Sequence, residues 1–451
     1  MPEFFAEQAW VGGGWRRDVL LRTGSDGLWS SVECEVPAAQ RGSAQVLPGP
    51  VLPGLVNAHS HAFQRAIAGM TERAGAGEDD FWRWRDRMYS AALRITPQQL
   101  EAVAAFLYAE LLQAGTTQVC EFHYLHNGVD GKPYADAAEM SLALVRAAQR
   151  VGMGLTLLPT LYMRSGFQAT GLREDQRRFA STPESVLRIA ETVARQAGGL
   201  VRAGVALHSL RAVDAAALNE VAVAAKGKLP VHIHIAEQQQ EVADCIAATG
   251  LRPMEWLLQN AAVDPGWNLV HATQSTPAEL QGVAKAGASI VICPSTEANL
   301  GDGVFDLPGW LGQGGRWSIG SDSHVARDWC EELRLLEYSQ RLALRQRNIA
   351  ARHAQQESTA AVLFEGALQG GTAAAGAPLA GLAPGQRADF MVLDADAPAL
   401  AGVPHDHVLD ALLFSSPGAR PLEVYVAGRR TAARQAQVTA AFREAMQGLW
   451  A

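Results

Sequence analysis

The sequence predicts an α/β fold: a (β/α)₈ barrel of the TIM type beside a small β-sandwich-like domain formed from both chain ends. Three patterns predict it. A series of apolar runs reads as strands, and stretches with helical periodicity lie between them. The sequence near both chain ends alternates between apolar and polar residues, as in half-exposed strands. Apolar strands that alternate with amphipathic helices indicate a parallel sheet covered by helices. Eight strands of this kind indicate a closed barrel. The apolar segments, each ending in polar residues, are LPGLVNAHSH, TTQVCEFHY, GLTLLPTLY, VRAGVALHSLR, LPVHIHIAEQ, WNLVHATQ, ASIVICPSTEANL and RWSIGSDSH.

The order of these patterns divides the chain into three segments. Residues 1–49 contain short alternating runs and turn signals, and we assign them to the N-terminal part of the small domain. Residues 50–374 contain the eight apolar segments and form the predicted barrel. Residues 375–451 return to strand patterns in AGLAPGQRADFMVLD and PLEVYVAGRR and end in a helical pattern. We assign them to the C-terminal part of the small domain plus a terminal helix.

Composition and charge exclude several classes of protein. The 451 residues are 48% hydrophobic and 19% charged, with a formal net charge of −8. A mildly acidic chain argues against nucleic acid or an anionic membrane as the main partner. No apolar stretch is long enough to span a bilayer, and the N-terminal residues do not resemble a signal peptide. The five cysteines form no C-x-x-C pair, so we expect free thiols and a cytoplasmic location.

Histidines collect at one end of the predicted barrel. One strand histidine alone is more often an ordinary core or surface residue, but nine of the 12 fall at or just after a predicted strand end. In barrel enzymes the carboxyl ends of the strands converge on the site of chemistry. We therefore expect a histidine-rich site at this end. The nine are His59, His61, His123, His126, His208, His232, His234, His271 and His324.

The spacing of some of these histidines predicts a metal site. His59 and His61 are two apart on a strand and so point to the same face. His232 and His234 repeat that spacing, and Asp322 closes the eighth strand, where it can meet the first strand across the barrel seam. Three nitrogens and one oxygen with an open position suit a catalytic zinc ion.

At this point the chain resembles the amidohydrolase superfamily, in the motifs PGLVNAHSH, HIHIAE, VHAT and GSDSH and in the tail APGQRADFMVLD followed by VYVAGR. Strand four ends in GVALHSLR without the lysine or glutamate that bridges two metals, so the resemblance is to the one-metal deaminase branch. That branch implies His234 as the strand-five ligand and leaves His232 as a core histidine. It also makes residues 50–374 a metal-dependent hydrolase barrel.

A closer resemblance is to the N-formimino-L-glutamate deiminases, also called formimidoylglutamate deiminases, of bacterial histidine degradation. It rests on NAHSHAFQRAIAGM, FWRWRDRMY, EFHYLH, LHSLRAV, HIHIAEQQQEV, STEANLGDG and IGSDSHV. The resemblance implies a homodimer with one divalent metal ion per chain, and zinc is the expected metal. It implies the metal ligands His59, His61, His234 and Asp322. It implies a substrate site made of Gln64, Arg85, Tyr124, His208 and Arg211.

The same residues suit hydrolysis of an amidine. A bound zinc ion lowers the pKa of water to about 7, and Asp322 can take the proton released. Glu237 is placed to protonate the imino nitrogen, and His271 to orient the nucleophile or stabilise the tetrahedral carbon. A formimino-glutamate carries two carboxylates, which arginines such as Arg85 and Arg211 bind well.

Three alternatives remain open on the sequence. The first is an aminohydrolase of a purine or pyrimidine ring, such as a guanine or cytosine deaminase, which would use the same metal but a pocket of amide and aromatic contacts. The second is a non-catalytic scaffold, in which we would expect some metal-ligating or acid–base residues to have been lost. The third is a related acid, such as N-formimino-L-aspartate, as substrate. The segment STEANLGDG is predicted to be a tight loop at the rim, and we assign it no chemical role.

Overall fold

The computed structural model contains two β-sheets, one built from both chain ends and one in the middle of the chain. It describes residues 2–73, 81–196, 198–416, 418–431 and 435–451, without the side chains of residues 81–83 and 435. The strands of the N-terminal segment are β1 (Glu3–Val11), β2 (Gly14–Thr23), β3 (Trp29–Glu33), β4 (Gln45–Val46) and β5 (Val51–Pro53). Those of the middle segment are β6 (Leu55–Ser60), β7 (Thr116–His123), β8 (Gly154–Leu161), β9 (Val201–Ala203), β10 (Val205–Leu207), β11 (Val231–Ile235), β12 (Trp267–His271), β13 (Ser289–Ile292) and β14 (Trp317–Ile319). Those of the C-terminal segment are β15 (Phe390–Leu393), β16 (Pro421–Val426) and β17 (Arg429–Arg430).

Helices follow most strands of the middle segment. Those in the first half of the chain are α1 (Phe81–Ala92), α2 (Pro97–Gln113), α3 (Glu139–Val151), α4 (Pro183–Arg195) and α5 (Ala215–Ala225). Those that follow are α6 (Gln239–Thr249), α7 (Pro253–Asn260), α8 (Pro277–Ala286), α9 (Pro294–Leu300), α10 (Leu307–Gly312), α11 (Trp329–Leu344), α12 (Ile349–Ala354), α13 (Thr359–Ala375), α14 (Val408–Ser415) and α15 (Gln435–Trp450). Several begin at a threonine that caps the helix, such as Thr96 before α2 and Thr276 before α8.

The middle sheet is the predicted barrel. Its strands are parallel and run in the order β14-β13-β12-β11-β10-β8-β7-β6, with β9 also paired to β8, so β9 and β10 together make the fourth strand. A parallel bridge between Ser60 and Asp322 joins the last strand to the first, and the Asp322 amide donates to the His59 carbonyl over 3.0 Å. Every residue of β7 and β8 is buried, as expected for strands covered by helices on one side and filled by side chains on the other. The (β/α)₈ prediction is confirmed.

The two chain ends build one separate sheet, in the order β17-β16-β15-β5-β1-β2-β3 with β4 paired to β1. An aromatic cluster holds strands from opposite ends together: the rings of Phe390 and Tyr425 stack at 4.3 Å, and Phe4 lies edge-on to Phe390 at 5.1 Å. The strand Val51–Pro53, which follows the predicted domain boundary at residue 50, lies within this sheet. It therefore leads the chain directly into the first barrel strand.

Two helices are informative beyond the barrel plan. The segment STEANLGDG was predicted to be a tight rim loop, but its first six residues lie in α9. Pro294 suits a first helical turn, and Gly301, at φ 71°, ends the helix in the left-handed region. The terminal helix α15 packs on α2, where the rings of Phe442 and Phe106 stack at 4.3 Å. In the described ranges, no helix combines the length and apolarity that crossing a bilayer requires.

Candidate active site

Five polar side chains from four barrel strands meet at the carboxyl end of the barrel. His59 and His61 come from the end of β6, His234 from β11, His271 from the end of β12 and Asp322 from the residues after β14. All five side chains are buried. The barrel thus brings the predicted metal ligands and the predicted His271 into one cluster.

The three predicted histidine ligands turn their Nε2 atoms toward one another. His59 Nε2 lies 3.1 Å from His61 Nε2 and 3.0 Å from His234 Nε2. His61 Nδ1 lies 2.8 Å from the Phe122 carbonyl and His234 Nδ1 lies 3.0 Å from the His208 carbonyl. Because a carbonyl only accepts hydrogen bonds, each of these Nδ1 atoms carries the ring hydrogen and each Nε2 presents a lone pair.

Asp322 completes this cluster. Its Oδ1 lies 3.4 Å from His59 Nε2 and 3.3 Å from His61 Nε2. Burial lowers the pKa of His59 to about 3 and also lowers the pKa values of His61 and His234, so the rings are neutral. Burial would raise the pKa of the Asp322 carboxyl, but its contacts with the facing imidazole of His59, and then with those of His61 and His271, hold that pKa below its usual range. Three imidazole nitrogens and a carboxylate facing one another form a donor set that a divalent cation stabilises.

Strained backbone positions turn several of these side chains into the site. His271 has φ 71° and Asp322 has φ 44°, and Ala236, just before Glu237, has φ 52°. Residues other than glycine rarely adopt positive φ, and such strain persists where surrounding structure holds it, often at functional sites. The three positions lie at the ends of strands five, six and eight.

Glu237 and His271 form a second group beside the metal cluster. His271 Nε2 lies 3.8 Å from Glu237 Oε1 and 4.0 Å from Asp322 Oδ2. Burial raises the pKa of the Glu237 carboxyl, and the repulsion of Asp322 raises it further. Burial would lower the pKa of His271, but the Glu237 carboxylate and the hydrogen bond with Glu297 raise it to about 10. A proton donor and a cationic donor thus lie next to the predicted metal ligands.

Glu297 orients His271, a contact that the sequence did not reveal. Its Oε1 accepts the Cys293 amide over 2.8 Å and lies 3.3 Å from His271 Nδ1. Glu297 belongs to α9, for which no chemical role was expected. Glu297 lies four residues after Cys293, one more than in a capping box, so no sequence signal pointed to this contact.

A cavity of about 520 Å³, measured to its open mouth, extends from the cluster. It is lined by all five predicted substrate-binding residues, Gln64, Arg85, Tyr124, His208 and Arg211. Gln64 Nε2 donates to the Tyr124 hydroxyl over 3.1 Å, and the Tyr124 ring lies 5.1 Å from the His61 ring. The polar candidates are therefore continuous with the metal cluster.

The two predicted arginines enter the cavity from different elements. Arg85 is on α1 and its guanidinium lies 5.5 Å from the centre of the Tyr89 ring. Arg211 follows β10. Burial would lower the pKa of Arg211, but the charges of Tyr162, Glu241 and Glu237 raise it, so it remains a cation. A half-buried arginine cation at the cavity wall suits an anionic ligand.

Six further cavity residues were not predicted as site residues: five lie on helices or loops, and one, Tyr162, directly follows strand β8. These are Trp84, Met88, Tyr89, Tyr162, Phe179 and Leu300. Conversely, five of the nine predicted strand-end histidines do not line the cavity: His59, which belongs to the metal cluster, and four others. His126 and His232 instead hydrogen-bond the carbonyls of Thr160 and Ala374, at 2.8 and 2.9 Å. The other two, also buried, are His123 and His324.

Comparison with known proteins agrees with this geometry. The model of the Amidohydrolase family matches residues 51–431. The chain is 47% identical to the formimidoylglutamate deiminase of Pseudomonas aeruginosa, over 95% of this chain and 94% of that protein. It is 27% identical to a 5-methylthioadenosine/S-adenosylhomocysteine deaminase of Halobacterium salinarum, over 79% of this chain and 76% of that protein.

A solved structure extends the likeness to the whole molecule. The crystal structure of an amidohydrolase from Brucella melitensis superposes with a TM-score of 0.93 at 42% identity, covering 100% of both chains. The barrel, the terminal sheet, the histidine–aspartate cluster at the strand ends and the family match over most of the length lead to one conclusion. The chain belongs to the amidohydrolase family, whose members are metal-dependent hydrolases.

Proposed function

We propose that the protein hydrolyses N-formimino-L-glutamate to N-formyl-L-glutamate and ammonia, a step of histidine degradation, with one zinc ion per chain. The observation that carries this proposal is the presence of Arg85 and Arg211 in the cavity that contains the metal cluster. Two cations at one cavity fit a dianionic substrate. The relative of 47% identity, named a formimidoylglutamate deiminase, supports the same reaction.

The residues of the chain divide the reaction between them. When bound by His59, His61, His234 and Asp322, zinc would supply Lewis acidity and lower the pKa of water to about 7. The Asp322 carboxylate, which is ionised, takes the proton of the attacking water.

Glu237 and His271 act on the substrate. The water oxygen forms a bond with the formimino carbon, and the C=N bond becomes single. Glu237, whose pKa burial raises, donates a proton to the imino nitrogen, while the His271 side chain stabilises the tetrahedral centre. A second proton, passed on from Asp322, reaches that nitrogen, and the C–N bond breaks to release ammonia. The hydroxyl group at the former formimino carbon gives its remaining proton to Glu237 and becomes the oxygen of the formyl product.

Binding of the two substrate carboxylates falls to the remaining candidates. Arg85 and Arg211 supply charge, and Gln64, Tyr124 and His208 supply hydrogen bonds near the metal cluster. We further propose that the enzyme is a cytoplasmic homodimer, as the resemblance implies. Size-exclusion chromatography with light scattering tests the dimer, because a monomer at micromolar concentration would contradict it.

The test of the reaction is ammonia release by the purified, zinc-loaded protein from N-formimino-L-glutamate. Guanine, cytosine and 5-methylthioadenosine are assayed in parallel, because a ring deaminase would use the same metal cluster and the 27% relative carries such a name. N-formimino-L-aspartate tests the length of the substrate. We expect turnover of the formimino-glutamate and much weaker turnover of the others. Turnover of a ring substrate alone would overturn the proposal.

Metal removal gives a second prediction. Dialysis against a chelator should abolish ammonia release, because the four ligands alone provide no Lewis acid, and one equivalent of zinc should restore it. The metal content is measured by mass spectrometry in parallel with the rate. An enzyme that keeps full activity after its metal has been removed would contradict the metal assignment.

A further inference from the structure

Gln176 links two tyrosines on the wall of the cavity. Its Nε2 lies 3.1 Å from the Tyr89 hydroxyl and 3.0 Å from the Tyr162 hydroxyl. Tyr89 and Tyr162 both line the cavity, and all three side chains are buried. Neither tyrosine is among the residues to which the proposed reaction gives a role.

The orientation of the Gln176 amide is determined by a backbone contact. Its Oε1 accepts the Arg173 amide over 3.1 Å. A backbone N–H can only donate, so the oxygen faces Arg173 and the NH₂ group faces the tyrosines. Gln176 therefore donates one hydrogen to each hydroxyl, and both hydroxyl oxygens act as acceptors.

At least one hydroxyl hydrogen is then available to a ligand. Tyr162 and Tyr89 also hydrogen-bond to each other, which uses one of the two hydrogens. In the part of the chain that the structure describes, no carboxylate or carbonyl oxygen accepts a hydrogen bond from either hydroxyl. A buried hydroxyl normally donates to some acceptor, and at a cavity wall that acceptor can belong to the ligand.

The charges around the pair favour an anionic acceptor. The guanidinium groups of Arg85 and Arg173 lie 5.5 and 5.7 Å from the centre of the Tyr89 ring. Burial raises the pKa of Tyr162, while the positive charges of Arg211 and Arg85 act against that rise. The guanidinium of Arg173 is paired with the Asp175 carboxylate through two hydrogen bonds of 3.0 and 2.9 Å. A hydroxyl donor near the guanidinium groups of Arg85 and Arg211 matches a carboxylate.

The tyrosine pair lies away from the reacting centre. The His208 ring is 5.1 Å from the His234 ring, and the Tyr162 ring lies a further step out, 4.2 Å from His208. Tyr89 contacts Tyr162 but has no ring contact with a predicted metal ligand in the described residues. The pair therefore faces the part of a ligand that is distant from the metal.

We propose that Tyr89 and Tyr162, held by the Gln176 amide, bind the substrate carboxylate farther from the formimino group, together with Arg85 and Arg211. This inference rests on the proposed function and adds to it the residues that select a dicarboxylic substrate. The hydroxyl pair touches the substrate, and Gln176 is a positioning residue that keeps the hydroxyls oriented as donors.

The kinetic test compares two substrates across four variants. The substrates are N-formimino-L-glutamate and N-formimino-L-2-aminobutyrate, which lacks the distal carboxylate. The variants are Y89F, Y162F, Q176L and the control Y425F, which removes a hydroxyl of the terminal sheet. Hydrogen bonds to charged groups justify an expected loss of roughly tenfold to hundredfold in kcat/KM for the glutamate derivative, mainly through KM, in the first three variants. For the aminobutyrate derivative we expect no change.

A binding measurement makes the inference testable without turnover. Calorimetry with glutarate and with butyrate should show weaker glutarate binding in Y89F and Y162F, and no effect of either variant on butyrate. If wild-type protein does not deiminate the formimino-glutamate, the proposed function fails, but the glutarate result still decides the carboxylate site. Equal losses on both substrates would indicate a merely structural role, and unchanged selectivity for the dicarboxylic ligands would overturn the inference.

Discussion

The roles of His61, His234 and His271 are set by the partner of the second ring nitrogen. In His61 and His234, Nδ1 donates to a backbone carbonyl, so Nε2 has the lone pair and faces the metal cluster. The Glu297 carboxylate at Nδ1 of His271 instead favours a positive ring. Identical side chains thus become metal ligands or a charged donor because of atoms that do not touch the substrate.

At the residue scale, we predict the effect of replacing Glu237 by glutamine. The amide has the same shape but cannot donate the required proton, so kcat should fall by about 10²- to 10⁴-fold. The metal content and the affinity for N-formyl-L-glutamate should change little. Steady-state kinetics, mass spectrometry and calorimetry measure these three quantities. E220Q, at an exposed position on α5, is the matched control. An E237Q enzyme with wild-type kcat would remove Glu237 from the mechanism.

At the scale of elements, the loop after β10 is held by one arginine from the loop after β8. The Arg164 guanidinium donates to the carbonyls of Arg211, Leu210 and Val213 at 3.2, 3.0 and 2.9 Å. These bonds give the loop that carries Arg211 a defined position although it has no regular secondary structure. The loop can therefore present a cation to the cavity at low entropic cost.

We accordingly predict that R164M raises KM for N-formimino-L-glutamate without a matching loss of metal. Methionine keeps the apolar stem but removes the hydrogen bonds, so Arg211 is held less firmly. Because small misplacements of substrate-holding groups cost up to about 100-fold, we expect a roughly tenfold to hundredfold loss of kcat/KM. The control R188M removes an exposed arginine of α4. A loss of kcat alone would argue against a positioning role.

At the scale of the whole molecule, the barrel buries many histidines in the neutral form, and this couples stability to pH. Burial lowers the pKa of His126 to about 4, and it also lowers the pKa of His123 on the same strand end. In the unfolded chain a histidine has a pKa of about 6.5. Between these values the unfolded state binds more protons, so stability is present above about pH 6.5 and is lost as the pH falls toward 4.

The resulting prediction concerns H126Q. From linkage, His126 alone should account for about 2 kcal/mol of the free energy of unfolding that wild-type protein loses between pH 7 and pH 5. Between pH 7 and pH 5 the free energy of unfolding of H126Q should fall by about 2 kcal/mol less than that of the wild type, because glutamine does not titrate. This difference does not depend on the stability of H126Q at pH 7. Urea unfolding at both pH values measures the difference. The control is H353Q, at an exposed histidine. Equal losses in wild type and H126Q would contradict the assignment.

The barrel could be predicted because each of its strands and helices has a recognisable pattern within its own short stretch of sequence. Each strand is a continuous apolar run, each helix has an amphipathic period, and polar residues at strand ends can only converge at one face of a parallel barrel. The resemblance to a known family then singled out His234 from His232, a choice that spacing had left open. In the structure His232 faces the Ala374 carbonyl and His234 faces the cluster.

Tertiary structure decided the rest, because it depends on contacts between residues far apart in sequence. Period and composition determined the eight strands, the strand-end histidines and the pairing of the chain ends. Only packing brought Tyr89 of α1, Tyr162 after β8 and Gln176 of a later turn to one cavity wall. Only packing placed Glu297 of α9 behind His271. The sequence pattern around a helix or loop residue does not indicate which distant residue it will contact. That contact is determined only when the whole barrel closes.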